Sequence, residues 1–313
     1  MTSREALLWG TSRLQSAKIK SASLDAEILL AHTLKITKET LFAHPEYNLQ
    51  RSQSATYGKL IKRRAKHEPV AYITGHKEFY GLDFCVDKRV LIPRPETELM
   101  VKESLNLLAT SYKLPTVIID IGTGSGCVII ALAKLLAPSP LPLPSGERME
   151  VRGIEFFATD ASRSALTVAR KNARLHGVEK NITFLYINLL EPFLRVYSLH
   201  ATPYTLFITA NLPYLPTSEW RQSPPDVRHY EPRLALDVCP DGLTYYRTLL
   251  TQLKEFSTRY SLHATYLIFE ICPHQSDDIQ TLARHYFPSC KIKIKKDLAG
   301  LNRLAIIDTK RSH

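Results

Sequence analysis

The chain has no apolar run approaching the roughly 18 residues that a membrane span requires. Its first ten residues, M-T-S-R-E-A-L-L-W-G, carry an acid where an export signal needs an unbroken apolar stretch. No membrane association is expected, and the chain reads as cytoplasmic. Cysteine is scarce and scattered: Cys85, Cys127, Cys239, Cys272 and Cys290 form no C-x-x-C and no Cys/His cluster at metal-ligand spacing. That pattern points to a reducing compartment and away from structural zinc, and no metal is expected. The G-x-G-x-x-G spacing of dinucleotide-binding proteins is missing too, which disfavours a nicotinamide cofactor.

What the chain does have is length and positive charge. Its 313 residues, 44% hydrophobic and 23% charged, suffice for one large domain and one small one. The formal charge of +11 suits a partner with an acidic surface or nearby nucleic acid, although a merely soluble basic protein accounts for it equally well. Residues 1–70 hold 12 Lys and Arg against 6 Asp and Glu.

Those residues show only helical signals: A-L-L-W-G-T-S-R-L, then S23-L-D-A-E-I-L-L-A-H with Ser23 read as the cap, then an amphipathic stretch from Tyr57 to Lys66. A helical bundle over 1–70 is expected. From Val70 to Ile92, aromatic and β-branched residues broken by Gly75, Gly81 and Asp87 predict a β-hairpin linker, assigned to 71–92. From Pro93 to residue 313, after a helix opened by P-R-P-E-T-E, strand and helix patterns alternate. Strands are expected at T116-V-I-I-D-I, I154-E-F-F-A-T-D, N181-I-T-F-L-Y-I, T205-L-F-I-T-A, T265-Y-L-I-F-E-I, K291-I-K-I-K and L304-A-I-I. Such alternation predicts an α/β fold with a mostly parallel sheet buried on both faces, and the short link between the last two strands predicts one antiparallel edge strand. Pro138 to Arg152 is too proline-rich for a helix or strand and reads as an inserted surface loop. The hexapeptide Y-S-L-H-A-T occurs at 197–202 and 260–265, each time before a strand, and nothing in the sequence explains it.

Three strand ends carry the candidate chemistry. The first reaches Asp120 and the loop Gly122-Thr123-Gly124-Ser125-Gly126, whose glycines allow a tight turn and close approach of a ligand to the backbone. The second ends at Asp160, which can accept both hydroxyl hydrogens of a ribose or cap the following helix; beside the glycine loop the ribose role is favoured. The fourth runs into Asn211-Leu212-Pro213-Tyr214. An amide nitrogen is a poor nucleophile, so it must be aimed. The Asn211 side-chain carbonyl and the Leu212 backbone carbonyl can hold its two N–H bonds, and the Tyr214 ring can pack against a planar amide and a cationic methyl donor. The histidines, His229 included, are not expected to be catalytic.

With these motifs in place the chain resembles, over nearly its whole length, the protein-glutamine N5-methyltransferases that modify peptide chain release factors, the PrmC or HemK group. The resemblance rests on S23-L-D-A-E-I-L-L-A-H, E68-P-V-A-Y-I-T-G-H-K-E-F-Y-G, V90-L-I-P-R-P-E-T-E, D120-I-G-T-G-S-G, N211-L-P-Y, E231-P-R-L-A-L-D, D241-G-L-T-Y-Y-R and F269-E-I-C-P-H-Q. It implies a Rossmann-like class I methyltransferase sheet, with a small N-terminal helical domain that recognises the release factor. It further implies that Asp120 and the glycine loop hold the methionine part of S-adenosylmethionine, Asp160 the ribose, and Asn188 the adenine. Asn211 to Tyr214 would hold the substrate glutamine of a Gly-Gly-Gln loop, with Asn211 also bordering the cofactor. Phe79 and the segment Pro93, Arg94, Pro95, Glu96 and Thr97 would line the site, with Arg94 and Glu96 stabilising the wall rather than reacting.

Three positions depart from the family pattern. Leu212 replaces a proline, which keeps the backbone carbonyl and loses rigidity. Asn188 stands where an acid is usual, and Cys272 where a glycine is usual. Other targets for the same turn are a ribosomal-protein glutamine or an adenine amine, while a ribosome-associated binding protein of weakened activity is the alternative outside catalysis. The helical domain and the absence of a base-reading module favour a protein substrate; direct nucleic-acid binding is disfavoured and left open.

Overall fold

The helical signals at the start of the chain become α1 (Ser3–Ser16), α2 (Ala22–Leu34), α3 (Lys38–Ala43), α4 (Arg51–Arg64) and α5 (Val70–Thr74). The computed structural model describes residues 1–111, 116–136, 153–190, 204–239, 241–259 and 262–309. The Pro138–Arg152 insertion and the first Y-S-L-H-A-T copy lie outside them. The chain divides into two compact units, the first drawn from Met1–His76, Val86–Lys88 and Ser223–Glu231.

In this first unit a capping box fixes the start of α1: Glu5 N–H donates to Thr2 Oγ1 and Thr2 N–H to Glu5 Oε2. The α1 backbone runs so close to Tyr57 of α4 that any side chain at Gly10 would collide with the phenol ring. Ser23 is not the cap of α2. The helix starts two residues earlier, after Ser21, whose hydroxyl donates to Asp25, while the Ser23 hydroxyl is turned along the helix to Glu27. Leu14, Ala26, Leu29, Leu30, Leu41, Tyr57 and Ile61 form the core of this unit. Inside it, Arg64 Nε donates to Asp25 Oδ2 at 2.6 Å, both side chains being almost fully enclosed.

The hairpin expected from Val70 is shorter than its composition suggests. Val70 to Thr74 form one helical turn because Pro69 precedes it and Gly75, at φ +80°, ends it; this bracketing overrides the β-branched side chains. The hairpin proper is β1 (His76–Phe79) with β2 (Leu82–Cys85), joined by Tyr80 and Gly81 at φ +53° and +71°.

The second unit holds the sheet: β3 (Thr116–Ile121), β4 (Ile154–Asp160), β5 (Ile182–Tyr186), β6 (Tyr204–Ala210), β9 (Leu262–Glu270), β10 (Lys291–Lys296) and β11 (Asn302–Asp308), in the order β10-β11-β9-β6-β3-β4-β5. β7 (Leu215–Pro216) and β8 (Asp237–Cys239) form a separate short parallel pair. Pairing is parallel from β9 to β5. The terminal hairpin supplies the antiparallel edge, with β11 the reversed strand and β10 outside it. Every residue of β3 is buried, as both-face coverage requires. On one face Ile119, Ile208, Leu267 and Ile307 pack with Tyr246, Leu249 and Leu253 of the helix Thr244–Arg259. Helices α6 (Glu98–Ser111), α7 (Cys127–Leu136) and α8 (Arg163–Leu175) also pack in this unit. The parallel strands all point one way, so Asp120, Asp160 and Asn211 arrive at the same edge of the sheet.

Candidate active site

β3 and β4 pair in register, Asp120 beside Ala158, which brings Asp120 and Asp160 to neighbouring strand ends. Between them the loop from Gly122 to Gly126 takes positive φ at each glycine (69°, 56° and 81°). Gly126 is also hemmed in: a Cβ there would lie 2.7 Å from Ile130 Cδ1 and 3.2 Å from Ala169 Cβ, so the loop packs directly on α7 and α8.

Both carboxylates hold the loop. Thr123 Oγ1 donates to Asp120 Oδ2 at 2.6 Å and Thr209 Oγ1 to Oδ1 at 2.7 Å. Burial pushes the Asp120 carboxyl up to about 6, with the two threonine hydroxyls opposing the shift and Asp160 adding to it. Gly124 N–H donates to Asp160 Oδ2 at 2.9 Å, and Ser162 N–H to Oδ1 at 2.8 Å. The cap of α8 is Ser162, which accepts from Ala165 N–H, so the capping alternative for Asp160 is taken by its neighbour. A carboxylate has about four acceptor sites. Asp160 therefore keeps acceptor capacity on the cleft it lines.

That cleft lies within the second unit. Asp120, Gly122, Thr123, Gly124, Ser125, Asp160, Asn188, Asn211, Leu212, Pro213, Pro93, Arg94 and Thr97 all line it. Gly126 shapes the loop from behind, and Pro95 and Glu96 are not in the lining. Phe79 is not either: its ring is fully buried edge-on to Phe84. Tyr214 is the larger departure from expectation. Its hydroxyl donates to Glu270 Oε1 at 3.3 Å inside the unit, and the residue is absent from the cleft lining. Leu212 is buried and packs toward Gly122, with Cδ2 3.3 Å from where a Cβ would stand. Side-chain packing thus anchors the turn where proline's ring would have stiffened it.

Sequence reasoning missed Glu270, although F269-E-I-C-P-H-Q contains it. Thr97 Oγ1 donates to Glu270 Oε2 at 2.6 Å, and Asn211 Nδ2 donates to Thr97 Oγ1 at 3.3 Å. Tyr246 donates its hydroxyl to the Glu270 carbonyl. Burial pushes the Glu270 carboxyl up, against Thr97, the Arg303 guanidinium and Tyr214, which pull it down. Tyr245, Leu234 and Ala235 also line the cleft; the D241-G-L-T-Y-Y-R and E231-P-R-L-A-L-D motifs were the available signals. Gly242 lets the Tyr214 carbonyl and the Gln275 amide pass against its backbone, and Gln275 Nε2 donates to that carbonyl at 3.1 Å. Among the described residues, Glu219, Cys272 and His274 gather their potential ligand atoms within 4.8 Å. The imidazole Nδ1 is 3.4 Å from the thiol and Nε2 3.6 Å from the carboxylate.

Residues 5–75 match the family model described as the PrmC N-terminal domain. Over 305 residues the chain is 37% identical to the release factor glutamine methyltransferase of Moorella thermoacetica, covering 97% of each protein. It is 39% identical over 290 residues to the release factor glutamine methyltransferase of Chlorobaculum tepidum, covering 91% of this chain and 90% of the relative. The chain belongs to the release factor glutamine methyltransferase family. It is, by that membership, a methyltransferase. The hMettl16 catalytic domain solved with a MAT2A 3′UTR hairpin shares the fold at a TM-score of 0.50 and 16% identity, covering 83% of this chain and 82% of that one. No helix of the described residues is long and apolar enough to cross a membrane.

In this member of the release factor glutamine methyltransferase family the departures are distributed unevenly. Leu212 and Asn188 line the cleft, whereas Cys272 does not; its N–H donates to Gln275 Oε1, the same side chain that holds the Tyr214 carbonyl.

Proposed function

We propose that this enzyme methylates the side-chain amide nitrogen of the glutamine in the Gly-Gly-Gln motif of peptide chain release factors, using S-adenosylmethionine. The observation that carries the reading is the alignment of Asp120, Asp160 and Asn211 along one cleft at the ends of parallel strands. Two carboxylates flanking a glycine loop fit a ligand that combines a positive charge with vicinal hydroxyls. S-adenosylmethionine supplies a methyl group on a sulfonium. Asp120 and the loop hold its amino-acid end, Asp160 the ribose, and Asn188 accepts from the adenine amine. Asn211 Oδ1 and the Leu212 carbonyl accept the two N–H bonds of the substrate amide and direct its nitrogen for in-line displacement; the surplus proton leaves to water after transfer. The basic helical region over 1–70 recognises the release factor, 71–92 links it, and 93–313 performs transfer.

Incubation with methyl-labelled cofactor and, separately, purified release factor, ribosomes and DNA should label the glutamine of the Gly-Gly-Gln peptide, read by mass spectrometry. Label confined to ribosomal protein or nucleic acid would overturn the substrate assignment.

Asp120 also sets a pH dependence. A cationic ligand favours the ionised carboxyl, which in the free protein is lost as pH falls through about 6. Cofactor affinity should therefore rise from about pH 5 to about pH 7 and then level. In the ligand-free protein the slope is opposite. The folded carboxyl, raised from 3.8 to about 6, holds its proton more tightly than the unfolded one, so this group's contribution makes stability fall with rising pH across that window. Calorimetric titration at each pH reads the first effect; affinity that is flat or declines over the window contradicts the assignment.

A further inference from the structure

The catalytic turn needs one particular face of the Asn211 amide. A substrate –NH2 presents two donors, so it is held only if Oδ1 faces the cleft; the amide rotated by half a turn presents its own –NH2, and donor meets donor. Nothing in Asn211 itself chooses between these orientations, whose shapes are the same.

We infer that Glu270 makes the choice: acting through Thr97, it is a positioning residue that holds the Asn211 amide oxygen toward the substrate. This deepens the proposed function and rests on it for the identity of the amide being held. The available hydrogens decide the orientation. An ionised carboxylate only accepts, so the single hydroxyl hydrogen of Thr97 must point at Glu270 Oε2, 2.6 Å away. The Thr97 oxygen is then left with lone pairs alone toward Asn211. Only Nδ2 can satisfy it, at 3.3 Å, and Oδ1 is the atom left for the cleft that Asn211 lines. Were Glu270 replaced by a group able to donate, the hydroxyl could turn round and the amide could rotate with it.

Hydrogen-bond donors and a cation gather around the Glu270 carboxyl. Burial raises the Glu270 carboxyl, and three groups act against it: the Thr97 hydroxyl, the Arg303 guanidinium, itself fixed by Asp297 Oδ2 at 3.1 and 3.2 Å, and the Tyr214 hydroxyl, which donates to Oε1. The three residues of the relay come from positions 97, 211 and 270, on three segments of the second unit. The relay also explains why a threonine follows the two prolines of I92-P-R-P-E-T-E: the position needs a side chain that donates on one side and accepts on the other.

Thr97→Val and Thr97→Ser separate orientation from packing, because valine keeps the shape and loses the hydroxyl while serine does the reverse. With release factor as substrate, Thr97→Val and Glu270→Gln should each lower kcat by about tenfold or more, with cofactor affinity unchanged, and Thr97→Ser should stay within about threefold of the parent. A second measurement needs no substrate. In ¹⁵N-labelled protein the Asn211 side-chain –NH2, assigned by its loss in Asn211→Asp, should be protected from hydrogen exchange in the parent and in Thr97→Ser, and unprotected in Thr97→Val. If valine is tolerated as well as serine in both measurements, the relay is refuted. If the protection pattern holds while the parent methylates no release factor, the relay stands and the substrate assignment is what fails.

Discussion

Asn211→Ala is expected to bind S-adenosylmethionine as the parent does and to transfer methyl about 100-fold more slowly or worse. The separation follows from where each group sits. The carboxylates proposed to hold the charged and ribose parts of the cofactor are Asp120 and Asp160, each fixed by two hydrogen bonds in which Asn211 takes no part. Among the described residues the Asn211 side chain has one hydrogen-bond partner, Thr97, and it lines the cleft. Truncation removes one of the two acceptors for the substrate nitrogen and leaves the Leu212 carbonyl alone to orient it. A nitrogen with a delocalised lone pair gains little from proximity without direction, so the loss should fall on kcat. Equilibrium titration with cofactor and single-turnover transfer at saturating release factor read the two quantities separately. Parent-like transfer by this variant would remove Asn211 from the mechanism.

Asp25→Ala should destabilise the first unit by about 3 kcal/mol or more. Arg64 and Asp25 are both buried, and Arg64 Nε donates to the carboxylate at 2.6 Å. Deleting the acid leaves a guanidinium enclosed by protein with the Glu68 carbonyl at 3.1 Å and the Asp226 carboxylate only at 4.0 Å. It also strands the Ser21 hydroxyl, which donates to the same carboxylate oxygen. Removing both charges is the contrasting case: Asp25→Leu with Arg64→Met should recover much of the loss, because the penalty comes from the unpaired ion rather than from the missing pair. Chemical denaturation of the full chain distinguishes these outcomes. Equal destabilisation by the single and double variants would mean that packing, not charge, dominates.

Much of the second unit could be read from the chain because continuous apolar strands such as T-V-I-I-D-I have few ways to be buried. The parallel order then carried Asp120, Asp160 and Asn211 to one edge without further information. Local bracketing was harder to weigh: V-A-Y-I-T has strand-like side chains, yet Pro69 and Gly75 make it helical. Direction was harder still. Spacing placed Tyr214 three residues after Asn211, but whether its ring faces the cleft or Glu270 depends on a residue 56 positions away. Glu270 itself went unassigned because its role exists only through partners separated from it by 173 and 56 positions, a relation that a single sequence does not display.

The segment Ser223–Glu231 bears on how this protein can be dissected. It contains α10 (Pro225–Tyr230), which follows the helix Thr217–Gln222, here α9. It belongs by its contacts to the unit built mainly from the first 76 residues: the Tyr230 hydroxyl donates to the Lys66 carbonyl at 2.8 Å, and Asp226 lies near Arg64. A fragment cut after His76 would contain the whole region matched by the PrmC N-terminal model and still lack these partners. The stretch that is contiguous in inheritance is thus smaller than the body that folds, and a transplant of the former alone would carry an incomplete surface around Arg64.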